Sequence, residues 1–350
     1  MTRRLLVTGG AGFIGANFVH HVVETTDWSV ANLDLLTYAG NPESLDGVPD
    51  GCHELVHGDI GDAQCVRALL DRFQPDALVN FAAESHVDRS IDDPAAFVRT
   101  NVLGTQVLLE AALDYWRNGR SDFRFLHVST DEVYGDLEPQ EPAFTELNRY
   151  QPSSPYAASK AAADHLVRAW HRTWGLPAMI TNCSNNYGPR QFPEKLIPLM
   201  LINALDGKEL PVYGDGRQRR DWLYVTDHCG ALLRVLEAGR SGRTYNIGGN
   251  AERTNLDVVE TLCDLLDRRV PGDRPRRELI RFVTDRPGHD RRYAINAERI
   301  REELGWTPAM NFAAGLEATV DWYLDHRDWW RRIQDGSYRG ERLGVRGVGT

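Results

Sequence analysis

Lysine is nearly absent from this sequence. Of 40 basic residues only Lys160, Lys195 and Lys208 are lysine, so arginine fills almost every site where a positive charge alone suffices, and a lysine is informative. Paired cysteines are lacking too. Cys52, Cys65, Cys183, Cys229 and Cys263 are odd in number, widely spaced and without a metal-ligand pattern. That argues against a zinc site or any other metal and for reduced thiols in a cytoplasmic protein. No apolar run approaches membrane-spanning length, and the strand-like run from Arg3 leaves no room for a signal peptide, so no membrane association is expected. Excess positive charge is missing as well: the formal net charge is −10, which excludes broad nucleic-acid binding because that needs a basic footprint.

What is present reads as a globular enzyme. The 350 residues are 42% hydrophobic and 26% charged, enough for a larger domain with a smaller one packed against it. The first half alternates short β-type runs with helical patterns, the signature of a parallel sheet covered on both faces, a doubly wound α/β fold. Expected strands are Arg4 to Thr8, Ser29 to Asp34, His53 to His57, Ala77 to Phe81, Phe123 to Ser129 and Ala178 to Cys183. Helical spacing occupies Gly15 to Glu24, Ala63 to Phe73, Pro94 to Trp116 and Pro155 to Trp174, the last opened by Ser154 as cap and Pro155 at the first helical position. After Asn185 the chain turns to Pro- and Gly-punctuated segments with scattered arginine, which suggests a smaller C-terminal lobe around a ligand. The expected division is 1–185 with roughly 221–245 for the cofactor, 186–220 with 246–335 for the substrate, and a tail over 336–350.

Directly after the first strand comes Thr8-Gly9-Gly10-Ala11-Gly12-Phe13-Ile14-Gly15, then a helix. Glycine is needed there because the turn is tight, the backbone must approach a pyrophosphate, and the helix packs closely on the sheet; free N–H groups at the helix start then hold phosphate. Asp34 ends the second strand, where a carboxylate can accept both ribose hydroxyls and repel a 2′-phosphate, and no arginine follows it in Leu35-Leu36-Thr37-Tyr38. The expected cofactor is therefore NAD and not NADP. Asp59 and Ile60, after the third strand, suit the amine and one face of adenine.

Tyr156 and Lys160 stand four apart on the capped helix, one turn from each other. A tyrosine beside an ammonium and a nicotinamide cation loses its proton more readily and can accept one from a hydroxyl. Upstream, Ser129-Thr130-Asp131-Glu132-Val133-Tyr134-Gly135 leaves the fifth strand at its carboxyl end, the edge where open α/β sheets bind ligands. Neighbouring carboxyls push each other's proton affinities apart, so Asp131 and Glu132 form an acid beside a base, while Thr130 can bond a sugar hydroxyl. If the two carboxyls instead faced solvent as a turn, oxidation could proceed without loss of water.

These residues resemble the extended short-chain dehydrogenase/reductase superfamily and, within it, the nucleotide-sugar 4,6-dehydratases. The resemblance runs through Thr8 to Gly15, Phe81 to Ser90, Thr130 to Gly135, Tyr156 to Lys160, Asn182 to Pro189, Pro193 to Leu196, Arg220-Asp221-Trp222 and Asp285 to Asp290. It implies a Rossmann-type fold and an NAD-dependent hydro-lyase that oxidises the hexose of a nucleotide-diphosphate sugar, dTDP-glucose being favoured, expels water across C5 and C6, and regenerates a tightly held NAD at each turnover. Tyr156 is then the base at C4 supported by Lys160, Glu132 the base at C5 and Asp131 the acid at C6. Further cofactor contacts are implied for Leu35, Thr37, Ala82, Ala83, Ser85, Thr100 and Asn186. Substrate contacts are implied for Ser85, His86, Asn185, Lys195, Leu196, Pro211, Val212, Tyr213, Arg220, Asn255, Arg286 and His289. Arg219 beside Arg220 departs from the pattern and leaves open which guanidinium meets the diphosphate. A 4-epimerase or decarboxylase would share NAD, Tyr156 and Lys160 but needs no acid for a C6 leaving group. A non-catalytic NAD-binding scaffold would lack the Tyr or the Lys. Surplus apolar and alanine surface on Pro94 to Trp116 and Pro155 to Trp174 fits pairing as a homodimer.

Overall fold

The first strand, Arg-Leu-Leu-Val-Thr, is buried from Leu5 to Thr8 on both faces, which requires helices above and below it. The computed structural model describes residues 3–285 and 288–336. Along it run β1 (Arg4–Thr8), β2 (Ser29–Asp34), β3 (His53–His57), β4 (Ala77–Asn80), β5 (Arg124–Thr130) and β6 (Ala178–Cys183). Then follow β7 (Asn185–Tyr187), β8 (Leu210–Tyr213), β9 (Arg219–Tyr224), β10 (Thr244–Ile247), β11 (Glu252–Thr254) and β12 (Ile280–Val283). Seven of these form one sheet in the order β10-β6-β5-β4-β1-β2-β3, every pair parallel.

The two-residue period of each strand distributes side chains between two cores. Leu5 and Val7 of β1, Leu126 and Val128 of β5 and Met179 of β6 join the helices Phe13–Thr25 and Val225–Ala238 on one face. Leu6, Phe125, Ala178 and Ile180 point to the other face, against Ala63–Phe73, Thr105–Arg117 and Pro155–Trp174. The doubly wound α/β expectation is met. Because β1 lies between β2 and β4, the chain reverses its direction of winding there and opens a crevice at the carboxyl ends of these strands.

Beyond β6 a smaller body forms from the sheet β11-β9-β7 and the β12-β8 ribbon. Its core gathers Tyr187, Trp222 and Phe312 with Met200, Leu262 and Leu316 from the helices Leu196–Leu205, Asn255–Arg269 and Phe312–Asp325. The helix Glu298–Leu304 returns to the large sheet, burying Ile300 and Leu304 with Tyr245 and Ile247.

Two elements differ from their sequence patterns in ways that shape the site. The fifth strand runs to Thr130, one residue further than its apolar run, and so carries Thr130 to the crevice. The long helical pattern from Pro94 is interrupted by a π-helical segment, Val98–Gly104. There Asn101 turns inward, accepting from Glu84 N and donating to Glu84 O and Ser159 Oγ. No helix among the described residues is long and apolar enough to cross a membrane.

Candidate active site

The crevice is lined first by the glycine loop. Gly9 adopts φ +73°, and a Cβ there would stand 2.6 Å from Ala82 N, so the ends of β1 and β4 meet backbone to backbone. A Cβ on Gly15 would overlap the Gly9 carbonyl, whereas one on Gly12 would touch only that carbonyl, at 3.3 Å. Gly12 caps the helix Phe13–Thr25 without any side-chain acceptor, and Gly12, Phe13, Ile14 and Gly15 all line the cleft. A cradle of backbone at an uncapped helix start fits a pyrophosphate, so the loop suits a dinucleotide.

Asp34 stands at the tip of β2 with Oδ2 accepting from Ala11 N and Oδ1 from Leu36 N, both at 2.8 Å. These bonds fix the carboxylate on the cleft wall and leave a lone pair on each oxygen for a ribose. Burial pushes its proton affinity up, against both backbone bonds. Leu35, Thr37, Asp59, Ile60, Ala82, Ala83, Ser85 and Thr100 line the same cleft. Ile60 is buried, while Asp59 is exposed and accepts from Gly61 N at 2.7 Å.

Thr130, Asp131, Glu132, Tyr156 and Lys160 line this cleft too. Thr130 caps the turn Asp131–Tyr134, its Oγ1 accepting from Glu132 N at 3.3 Å and donating to Asp131 Oδ1 at 3.4 Å. Asp131 is only 1% exposed, and its Oδ2 has no protein partner. Burial, then the negative charges of Glu132 and Asp221, hold this carboxyl well above its usual range, and Arg220 opposes them only in part. The surroundings of Asp131 therefore favour the neutral form of a carboxyl buried in the cleft, so the pair is not a solvent-facing turn.

Tyr156 and Lys160 are both buried. The Tyr156 phenol is held well above its ordinary value by burial, then by Glu132 and Cys183, while the Thr130 hydroxyl favours ionisation. The sequence expectation of an easily ionised tyrosine thus does not describe the protein alone. The reason is geometric: Lys160 Nζ is turned to Val128 O at 2.8 Å, and the charges acting on the phenol are negative.

Of the residues with an implied role at the substrate, Ser85, Asn185 and Lys195 line the cleft; Lys195 Nζ donates to Ser85 O at 3.0 Å, and Asn185 Oδ1 is buried without a partner. Asn186 is there as well, its Oδ1 2.9 Å from His228 Nδ1. His86 instead caps the helix Val87–Asp92 and lies 3.9 Å from Glu194. Val212 is buried in the smaller core, with Leu196 packed against it. Pro211 and Tyr213 sit on β8, with the Tyr213 hydroxyl donating to Asp88 Oδ2 at 3.4 Å. His289 pairs with Asp285 at 2.6 Å, and Asn255 N donates to Gln218 O at 2.9 Å. Arg286 lies outside the described residues. The strand period separates the arginine pair: Arg219 faces out, while Arg220 is buried over the Tyr293 ring, 4.3 Å away, and acts on Asp131.

Several further residues around the site were given no role by the sequence. Glu194 lines the cleft and accepts from Arg89 Nε at 3.1 Å and Tyr38 at 3.2 Å. Tyr293 stands against Glu132 and Arg220. Asp221, whose carboxylate accepts from Gly249 N and Ala251 N, raises Asp131. Its place beside Arg220 was the only hint.

Over residues 6–319 the sequence matches the family described as GDP-mannose 4,6 dehydratase. The chain belongs to that family. Within it, the chain is 59% identical over 349 residues to the dTDP-glucose 4,6-dehydratase of Xanthomonas campestris pv. campestris (strain B100), covering 97% of this chain and 98% of that one. It is 57% identical to dTDP-glucose 4,6-dehydratase 1 of Escherichia coli (strain K12), covering 96% and 97%. The crystal structure of the dTDP-glucose 4,6-dehydratase of Streptomyces venezuelae with NAD bound superposes with a TM-score of 0.88 at 48% identity, over 94% of this chain and 99% of that one.

Proposed function

We propose that this chain is a dTDP-glucose 4,6-dehydratase, an NAD-dependent hydro-lyase converting dTDP-D-glucose to dTDP-4-keto-6-deoxy-D-glucose and water. The observation that carries the reading is a buried Asp131 whose surroundings favour its protonated form, beside Glu132 and Tyr156 in the cleft that also holds the glycine loop. Bound there, NAD supplies a reversible acceptor that takes a hydride from C4 and gives it back at C6, so one tightly held molecule serves every turnover.

The chain's own groups move the protons. Thr130 orients the C4 hydroxyl and Tyr156, which would be ionised beside a bound nicotinamide cation, removes its proton, with Lys160 steadying the nicotinamide ribose and the charge. The C4 ketone makes the C5 proton acidic, and Glu132 takes it. Asp131 gives its proton to the C6 oxygen, which leaves as water, and Glu132 returns a proton to C5. Transfer of the proton held by Tyr156 back to Asp131 resets the site. General acid and base action of this kind is worth about a hundred- to ten-thousand-fold each. An epimerase or decarboxylase would have no use for a protonated Asp131.

Two lobes divide the work: 1–185 with 221–245 hold NAD, and 186–220 with 246–335 hold the nucleotide sugar, with Ser85 and Asn185 at their junction. Arg220 offers a fork and Lys195 a point charge to the diphosphate. Five free cysteines support a cytoplasmic setting. Val98 and Leu103, 49% and 51% exposed, lie five residues apart in the π-helical segment and so on one face, which supports a homodimer through these helices.

The test is incubation with dTDP-glucose in deuterium oxide without added reductant. The expected product is a 4-keto-6-deoxy sugar nucleotide with deuterium at C5; recovery of a C4 epimer alone refutes the reading.

A further inference from the structure

Behind Lys160 lies a closed set of polar side chains that the steps above do not use. Tyr156, Lys160 and Asp164 recur every four residues along the helix Pro155–Trp174 and share one face. Lys160 is 3% exposed and Asp164 0%. Lys160 Nζ is 3.5 Å from His127 Nε2, and that nitrogen is 3.5 Å from Asp164 Oδ1. The opposite oxygen of Asp164 accepts from the Tyr150 hydroxyl at 2.8 Å and from Asn182 Nδ2 at 3.2 Å.

The far side of the imidazole is fixed as well. Asn80 Oδ1 accepts from Thr8 Oγ1 at 2.6 Å, which turns Asn80 Nδ2 toward His127 Nδ1 at 3.2 Å. Both ring nitrogens thus have a donor beside them, Asn80 Nδ2 at Nδ1 and Lys160 Nζ at Nε2, and Nε2 also lies against Asp164. The helix therefore stacks phenol, ammonium and carboxylate in one buried file, with the imidazole braced beside the last two.

An ammonium removed from water keeps its charge only if a counter-charge accompanies it. We propose that Asp164 is a positioning residue of this enzyme, the buried counter-ion that keeps Lys160 an ammonium and, with His127 as a lateral brace, fixes it one helical turn from Tyr156 to meet the nicotinamide ribose. The proposal rests on the roles of Tyr156 and Lys160 given above.

The surroundings identify which groups change charge. Burial lowers the Lys160 proton affinity on balance and Asp164 opposes this in part, while burial raises the Asp164 carboxyl and Lys160 opposes that in turn; the Cys183 thiol beside them is held up at about 12. His127 is held well below its usual value by burial and by Lys160, so it stays neutral. Tyr150 and Tyr134 are pushed up by burial and stay protonated, and Arg168 bonds the Tyr150 hydroxyl at 2.7 Å. On the cleft side Glu132 and Asp131 act on Tyr156. Within the file, the ammonium is the group left to titrate on the alkaline side.

With only three lysines in the chain, the ammonium can be watched directly. In protein labelled with ε-carbon-13 lysine, Lys160→Arg identifies the Lys160 resonance by its disappearance. In Asp164→Asn, which keeps the shape and an acceptor for Tyr150, that resonance titrates about one to three units lower, because an opposite charge at this range is worth that much. The rate of bound NADH formation from dTDP-6-deoxyglucose, which has no C6 hydroxyl to lose, falls about tenfold or more at neutral pH, and its alkaline limb moves down with the resonance. Tyr150→Phe, which removes a hydrogen bond from the same carboxylate but no charge, leaves both in place.

An unmoved Lys160 titration in Asp164→Asn overturns the proposal, as does an equal displacement in Tyr150→Phe. If Asp164→Asn does not fold, Lys160→Arg carries the test: its permanent charge abolishes the alkaline limb, and a limb at the native pH overturns the proposal. Failure of the dehydratase reading looks different, as absence of the 4-keto-6-deoxy product from the unaltered chain.

Discussion

Replacing Asp131 by asparagine separates the two halves of the reaction. The native carboxyl is buried where its neutral form is favoured, so Asp131→Asn should change neither the charge nor the shape presented to substrate, and KM should stay within about twofold. What is lost is an acid, since an amide donates a hydrogen bond but cannot deliver a proton to the departing C6 oxygen. Loss of one general acid costs about a hundred- to ten-thousand-fold, or roughly 3–6 kcal/mol at about 1.4 kcal/mol per decade. Rapid-mixing absorbance should show bound NADH forming at the native rate and then persisting, while quenched samples show slowed loss of water. Stability gives a second readout. Because the folded pKa is raised, Asp131 contributes stability below its unfolded pKa and loses it as pH rises through the folded value. Asp131→Asn should therefore melt higher than the native chain near neutrality, with the advantage vanishing below the unfolded carboxylate range. Water loss at the native rate, or a melting difference independent of pH, would refute the reasoning.

Gly15→Ala forces a Cβ against the Gly9 carbonyl, so thermal melting should show a loss of about 1–3 kcal/mol, whereas Gly12→Ala should fold normally and show weaker NAD binding by fluorescence titration. Arg220→Lys removes a buried fork and should raise KM for dTDP-glucose about tenfold or more; Arg219→Lys, at an outward position, should leave it within about twofold. Light scattering at micromolar concentration should give a dimer, and Val98→Glu with Leu103→Glu should give a monomer.

Much of the site was legible because its chemistry sits at points where the chain is locally constrained. A strand, a glycine turn and a helix start placed Gly9 to Gly15 with certainty, and the cap at Ser154 fixed the register that puts Tyr156 and Lys160 on one face. The same register already placed Asp164 one turn further, yet nothing in a helical period says that an aspartate faces an imidazole from a strand 37 residues earlier. The π-helical segment escaped notice since one wider turn leaves the surrounding periodicity almost unchanged.

The sequence alone determined the alternation that makes a doubly wound sheet, the glycine loop suited to a dinucleotide, and the residues proposed for acid and base chemistry, because each depends on neighbours within about one turn or one strand. Tertiary structure decided which charges are real. Burial beside Glu132 and Asp221 raises the proton affinity of Asp131, the direction of Lys160 toward Val128, His127 and Asp164 leaves negative charges to raise that of the Tyr156 phenol, and the pairing of β9 turns Arg220 inward and Arg219 out. Proton affinity depends on desolvation and on charges brought together from distant parts of the chain, and only folding sets those distances.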